Sequence, residues 1–131
     1  MSDKKPKIGV VGAGHLGRHH IKHLSKHSDV EFVGVFDVNK ESLKNICSEF
    51  SVDPIENLEN LINSCDGVHI VTPTNTHFDI AKKFLENKKD VFVEKPMTNT
   101  VDEALSLVSL AKKHGLIIQV GHIERFNPTI N

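Results

Sequence analysis

Residues 7–20 read KIGVVGAGHLGRHH: an apolar run, three glycines within six positions, then a stretch with helical spacing. This junction limits the fold more tightly than any other part of the chain. Glycine is costly to order, so its concentration where a buried strand ends implies that something comes very close to the backbone there. Gly12, Gly14 and Gly17 have the spacing G-x-G-x-x-G. In that pattern the first glycine permits a tight turn and the second, lacking a Cβ, lets a pyrophosphate reach the backbone. The third lets the helix pack closely on the sheet. The N–H groups of the helix start, around Gly14, His15, Leu16 and Gly17, then face the phosphates, aided by the helix dipole.

The rest of the chain alternates in the way such a junction requires. Short β-branched runs at Ile8 to Val11, Phe32 to Phe36, Val68 to Val71, Val91 to Val93 and Leu116 to Val120 are bounded by Gly, Pro, Asp or Asn. They read as strands buried on both faces, as in a parallel sheet. Between them Leu16, His20, Ile21 and Leu24 share a helix face, as do Leu43, Ile46, Cys47 and Phe50. Phe78, Ala81, Phe84 and Leu85 repeat the spacing, and so do Ala104, Leu107, Val108 and Ala111. Thr76 with Asp79 and Thr100 with Glu103 have capping-box spacing, and Gly115 stands where a helix stops. Around SVDPIENLENLI the pattern predicts a very short strand near Ser51 to Val52 and a helix from about Pro54 to Asn63. The expected fold is α/β: a Rossmann-type doubly wound parallel sheet in three α/β/α layers, one domain over residues 1–131.

Asp37 lies twenty residues beyond Gly17, at the end of the second predicted strand. A carboxylate there accepts both hydroxyls of an adenosine ribose and repels a 2′-phosphate, so the expected cofactor is NAD rather than NADP. Lys40, close by in sequence, softens that preference. The alternatives are a glycine-rich turn with Asp37 simply ending a strand, and a methyltransferase-like site with the same Gly-rich turn and acidic second strand, against which the third glycine favours a dinucleotide.

Composition removes other function classes. A formal net charge of −1 gives no positive field to attract nucleic acid or an anionic membrane. No stretch is apolar over the length of a membrane span, and the basic MSDKKPK start leads into the glycine-rich segment rather than a signal-peptide core. Cys47 and Cys65 match no metal spacing and read as buried reduced thiols, which suits a cytoplasmic protein. His19, His23 and His27 fall four residues apart on a polar helix face with nothing acidic to complete a metal site, so no metal is expected; His20, on the apolar stripe, reads as a hydrogen-bonded core histidine.

Three further stretches, TPTNTHFDIA, EKPMTN and GHIERFNP, follow the last three predicted strands. In open α/β sheets, ligands bind beyond the carboxyl ends of the strands, so all three crowd the crevice of the glycine loop. With G-x-G-x-x-G-x-x-H (Gly12 to His20), T-P-T-x-x-H (Thr72 to His77), E-K-P (Glu94 to Pro96) and G-H-x-x-R-F-x-P (Gly121 to Pro128) in order, the chain resembles the amino-terminal half of the Gfo/Idh/MocA oxidoreductases, the glucose–fructose oxidoreductase and inositol dehydrogenase family. The resemblance covers nearly the whole chain. The GHIERFNP form is most similar to members acting on nucleotide-linked or related sugars.

That resemblance implies roles. Lys95 would stand beside the nicotinamide as the catalytic residue and contact the reacting hydroxyl or carbonyl oxygen, where an ammonium stabilises developing negative charge. Pro96 would fix the backbone there, with a Lys95–Pro96 bond that proline allows to be cis. Thr72, Pro73, Asn75 and His77 would line the ribose and nicotinamide end; for Pro73 and Asn75, ordinary turn and cap chemistry is the alternative. Glu94 would bind a ribose hydroxyl or pair with a cation. His122 and Arg125 would face the substrate or the nicotinamide amide, or Arg125 would make a structural ion pair. The family has a second, mainly antiparallel domain that supplies much of the substrate pocket and the oligomer interface, and this chain ends where that domain would begin. The expected parent is a homo-oligomeric dehydrogenase of sugar-type small molecules. The competing expectation is a stand-alone, non-catalytic dinucleotide-binding module, a sensor or a subunit completed by a partner.

Overall fold

The computed structural model describes residues 4–121. Strands β1 (Lys7–Val11), β2 (Glu31–Phe36), β3 (Gly67–Ile70), β4 (Asp90–Glu94) and β5 (Ile118–Gly121) form one parallel sheet in the order β2-β1-β3-β4-β5. Helices α1 (His15–Ser25), α2 (Lys40–Phe50), α3 (Leu58–Ser64), α4 (His77–Glu86) and α5 (Val101–His114) make the connections that parallel neighbours require. Chain direction reverses spatially at β1: the chain steps outward to β2, then returns to β3 on the other side. In doubly wound sheets that switch point is where ligands bind.

The core has two halves, one on each face. Val10, Val35, Ile21, Leu24 and Ile46 join α1 and α2 to one face. Val11, Ile70, Val93, Leu61, Phe84, Leu85 and Leu107 join α3, α4 and α5 to the other. Val10 and Val11 are consecutive in β1 yet enter different clusters, as strand alternation demands. Each such apolar side chain, fully buried, contributes about 1.5–3 kcal/mol. The three-layer expectation is met.

Local departures have identifiable causes. The short strand expected at Ser51 to Val52 is absent there. Ser51 instead ends α2 in the left-handed conformation (φ 55°). The chain pairs with β2 slightly later, in one bridge between Val35 and Pro54, where Val35 N–H donates to Asp53 O and Ile55 N–H donates to Val35 O. The following helix starts at Leu58 rather than Pro54, because the Asn57 side chain accepts from Asn60 N–H at 2.8 Å and sets the start there. Thr100 caps α5 as expected, accepting from Glu103 N–H at 3.1 Å, and Gly115 ends it. Thr76 does not cap α4. A 3₁₀ turn (Thr74–Thr76) precedes that helix, and the Thr76 hydroxyl is taken by Thr72 Oγ1 and Pro73 O, each at 2.6 Å. Leu16 (44% exposed) and Val108 lie off the buried faces assigned to them.

Candidate functional site

The sheet register aligns the strand ends. Phe36, Val11, Ile70, Val93 and Val120 are successive partners across the five strands. Everything that follows them therefore emerges along one edge: the glycine loop after β1, Asp37 after β2, Thr72 to His77 after β3 and Lys95 after β4. His122 and Arg125 follow β5 and lie outside the described residues.

The glycine loop is shaped by close backbone contacts. Gly12 takes φ +119°, and a Cβ there would sit 2.5 Å from Val71 O. A Cβ at Gly17 would collide with Gly12 O, so the third glycine lets the first turn of α1 lie against its own loop as well as on the sheet. Around Gly14 the opposite holds: a Cβ would meet nothing within 4 Å. The helix start carries no side-chain cap and no acidic residue in its first turn, and His15 and Leu16 are exposed beside it. Open space, uncapped amide donors and the positive end of a helix dipole fit the linked phosphates of a dinucleotide.

Asp37 is held at both carboxylate oxygens. Its Oδ2 accepts from Ala13 N–H at 2.6 Å, and its Oδ1 accepts from Asn39 N–H at 2.8 Å. Beside it, α2 and residues 52–57 enclose an open cleft of about 730 Å³, with Phe36, Leu43, Val52 and Ile55 as its apolar wall and Lys40 and Lys44 at its rim. Glycine loop and acidic residue are thus one hydrogen-bonded unit, with a largely apolar recess alongside.

The β3 and β4 loops are tied together by His77. This side chain is 1% exposed. Its Nε2 lies 2.8 Å from Thr72 O, and its Nδ1 lies 3.1 Å from Pro96 O and 3.2 Å from Met97 O. The imidazole spans from one loop to the other. Pro73 and Asn75 are exposed and Thr72 is half-buried. The Lys95–Pro96 bond is cis, and Lys95 is exposed at the edge.

Glu94 is placed differently from its neighbour. It is 4% exposed, and its Oε2 meets His20 Nε2 at 2.7 Å. His20, 2% exposed, is the hydrogen-bonded core histidine its apolar position implied. Its Nδ1 meets His69 Nδ1 at 2.9 Å, and His69 in turn stacks on Phe92 with centroids 4.7 Å apart. Burial pushes the His69 pKa down to about 3 and also lowers that of His20, so both imidazoles are neutral at pH 7. Sequence reasoning missed His69 and the pairing of these groups. The only signal was a polar residue inside each of two apolar strands, at His69 in GVHIV and at Glu94 in VFVE.

Comparison with known proteins gives a consistent result. A family described as an oxidoreductase family with an NAD-binding Rossmann fold, Gfo/Idh/MocA, matches residues 6–122. UDP-N-acetylglucosamine 3-dehydrogenase of Acidithiobacillus ferrooxidans is 36% identical over 124 residues, covering 95% of this chain and 39% of that protein. The scyllo-inositol 2-dehydrogenase (NAD(+)) of Bacillus subtilis is 38% identical over 128 residues, covering 93% of this chain and 37% of that protein. The solved structure of the Acidithiobacillus enzyme superposes with a TM-score of 0.88 at 34% identity, over 96% of this chain and 41% of that one. The chain therefore spans about two fifths of the length of these relatives.

Proposed function

Because the chain belongs to the Gfo/Idh/MocA oxidoreductases through their NAD-binding Rossmann domain, we propose that it is the cofactor-holding part of a dehydrogenase. The reaction exchanges a hydride between NAD and a ring hydroxyl or carbonyl of a sugar, nucleotide-sugar or cyclitol. The observation that carries this reading is the unit made by Gly14, Ala13 and Asp37: open space over the second glycine, and a loop amide bonded to the acidic residue.

In this reading the amides at the start of α1 hold the two phosphates. Asp37 accepts the ribose hydroxyls and disfavours a 2′-phosphate. The Thr72 to His77 turn, with Pro73 and Asn75 at its exposed face, borders the ribose and nicotinamide end. Bound NAD supplies the hydride acceptor. Lys95 stands at the same edge and hydrogen-bonds the substrate oxygen, stabilising the negative charge that develops as its proton leaves. His122 and Arg125 orient the substrate. The relatives named for UDP-N-acetylglucosamine and scyllo-inositol support a polyhydroxylated ring as substrate. The parent protein is a homo-oligomer assembled through a further domain.

The test is titration of the 131-residue chain with NADH and with NADPH, followed by nicotinamide emission. Saturable NADH binding, tighter than that of NADPH, is expected. NADH that fails to saturate would overturn the reading.

A further inference from the structure

Three polar groups from three separate elements meet inside the sheet–helix interface: His20 of α1, His69 of β3 and Glu94, the last residue of β4. A carboxylate accepts hydrogen bonds and does not donate them, and a neutral imidazole has one N–H. The contacts then have one consistent direction. His69 donates its Nδ1–H to His20 Nδ1, and His20 donates its Nε2–H to Glu94 Oε2. His69 thereby selects the His20 tautomer that serves Glu94.

The position of this chain gives it a consequence. Its middle member, His20, sits on α1, whose amino terminus is the proposed phosphate cradle. Its last member, Glu94, is bonded directly to Lys95. No sequence neighbour links α1 to the β4 loop, so this buried contact is a physical connection between the group that holds the cofactor and the group that meets the substrate. We propose that His20 is a positioning residue: by holding Glu94 it fixes where Lys95 stands relative to a nicotinamide carried on α1, and His69 supports it by fixing its tautomer. This inference rests on the proposed dehydrogenase function. It assigns a task to buried polar groups which fold stability alone does not require, since apolar side chains of similar volume serve a core at least as well.

The experiment reads Lys95 directly. The lysines of the 131-residue chain are reductively methylated with ¹³C-formaldehyde, and the Lys95 signal is identified by its absence in Lys95→Arg. NADH is expected to move that signal in the unaltered chain. In His20→Leu the movement should fall to less than half while the NADH dissociation constant changes less than threefold. His20→Gln, which keeps a donor at the position of Nε2, should restore it. Should His20→Leu fail to fold, His69→Leu is the reporter, with the same loss expected and with recovery in His69→Asn, which keeps a donor at the position of Nδ1. Full movement of the Lys95 signal in His20→Leu, or in His69→Leu where that is the reporter, overturns the positioning role. It leaves the dehydrogenase reading intact. Failure of the unaltered chain to bind NADH, by contrast, overturns that reading and this inference with it.

Discussion

Asp37 and Ala13 are bonded across the first β-to-α junction, carboxylate Oδ2 to backbone N–H at 2.6 Å. The acidic residue that would select the ribose is therefore also a strut of the loop that would hold the phosphates. The two duties are separable by substitution. Asp37→Asn keeps an oxygen acceptor for one of its two N–H partners and removes the charge, so its unfolding midpoint should fall less than that of Asp37→Ala. Its preference for NADH over NADPH should shrink by about tenfold, equivalent to about 1.4 kcal/mol. Asp37→Ala should narrow the preference similarly and also weaken NADH, because the loop amides lose their acceptor. Parallel titrations with both nucleotides decide the matter, and an unchanged preference in both variants would remove Asp37 as the discriminating residue.

Gly14 and Gly17 look alike in the sequence, yet the structure predicts opposite responses to one added methyl group. At Gly17 the new Cβ would overlap Gly12 O. Since backbone must shift to admit it, Gly17→Ala should cost about 1–3 kcal/mol of stability. At Gly14 the Cβ enters open space, so Gly14→Ala should stay within about 1 kcal/mol of the unaltered chain. NADH affinity in that variant should nevertheless fall at least about tenfold, because the space is where phosphate would sit. Urea denaturation and NADH titration of both variants measure this. Wild-type NADH affinity in Gly14→Ala would mean that the cradle lies elsewhere.

The strands were legible because each is a short β-branched run closed by Gly, Asp or Pro. The glycine loop was legible because its spacing answers to a steric need. Legibility declined where long-range partners decide. Leu16 and Val108 fit the helical period of their neighbours, but period alone does not say where the buried stripe ends, and both are exposed. Thr76 has the right spacing to cap α4, yet Thr72 and Pro73 compete for its hydroxyl. For Glu94 the family resemblance implies a ribose hydroxyl or a cation; its Oε2 meets a histidine 74 residues earlier in the chain. That pairing depends on β1 lying beside β3 and β3 beside β4, with α1 packed above them. No local pattern encodes it.

His77 carries a prediction for the turn it anchors. Both of its ring nitrogens meet carbonyl oxygens of the two loops that border the proposed nicotinamide site. His77→Ala leaves those carbonyls without the imidazole and opens a cavity at a site 1% exposed. A loss of about 1–3 kcal/mol is expected, read as a lowered urea midpoint with unchanged slope. NADH affinity should fall as well, since Thr72 and Pro96 would no longer be held at a fixed separation. Loss of stability with full NADH affinity would confine His77 to the fold.

Acid should weaken the fold in a way traceable to His69. Burial, reinforced by the neighbouring His20 and His23, holds its pKa down at about 3, against 6.5 for the unperturbed group. Between those values the unfolded chain binds a proton that the native protein refuses. Stability therefore rises with pH across that window and is lost on acidification from about pH 6.5 downward, by up to about 1.4 kcal/mol per pH unit from this residue. His20, whose pKa burial also lowers, adds with the same sign. Carboxylates paired in the native state act in the same direction at lower pH, so the comparison that isolates His69 is a difference between chains. Urea unfolding from pH 7 to pH 4.5 should give a steeper loss in the unaltered chain than in His69→Leu, which has no proton to take up. Parallel slopes in the two would mean that the His69 imidazole titrates as freely in the native protein as in the unfolded chain, and that its burial does not account for the acid response.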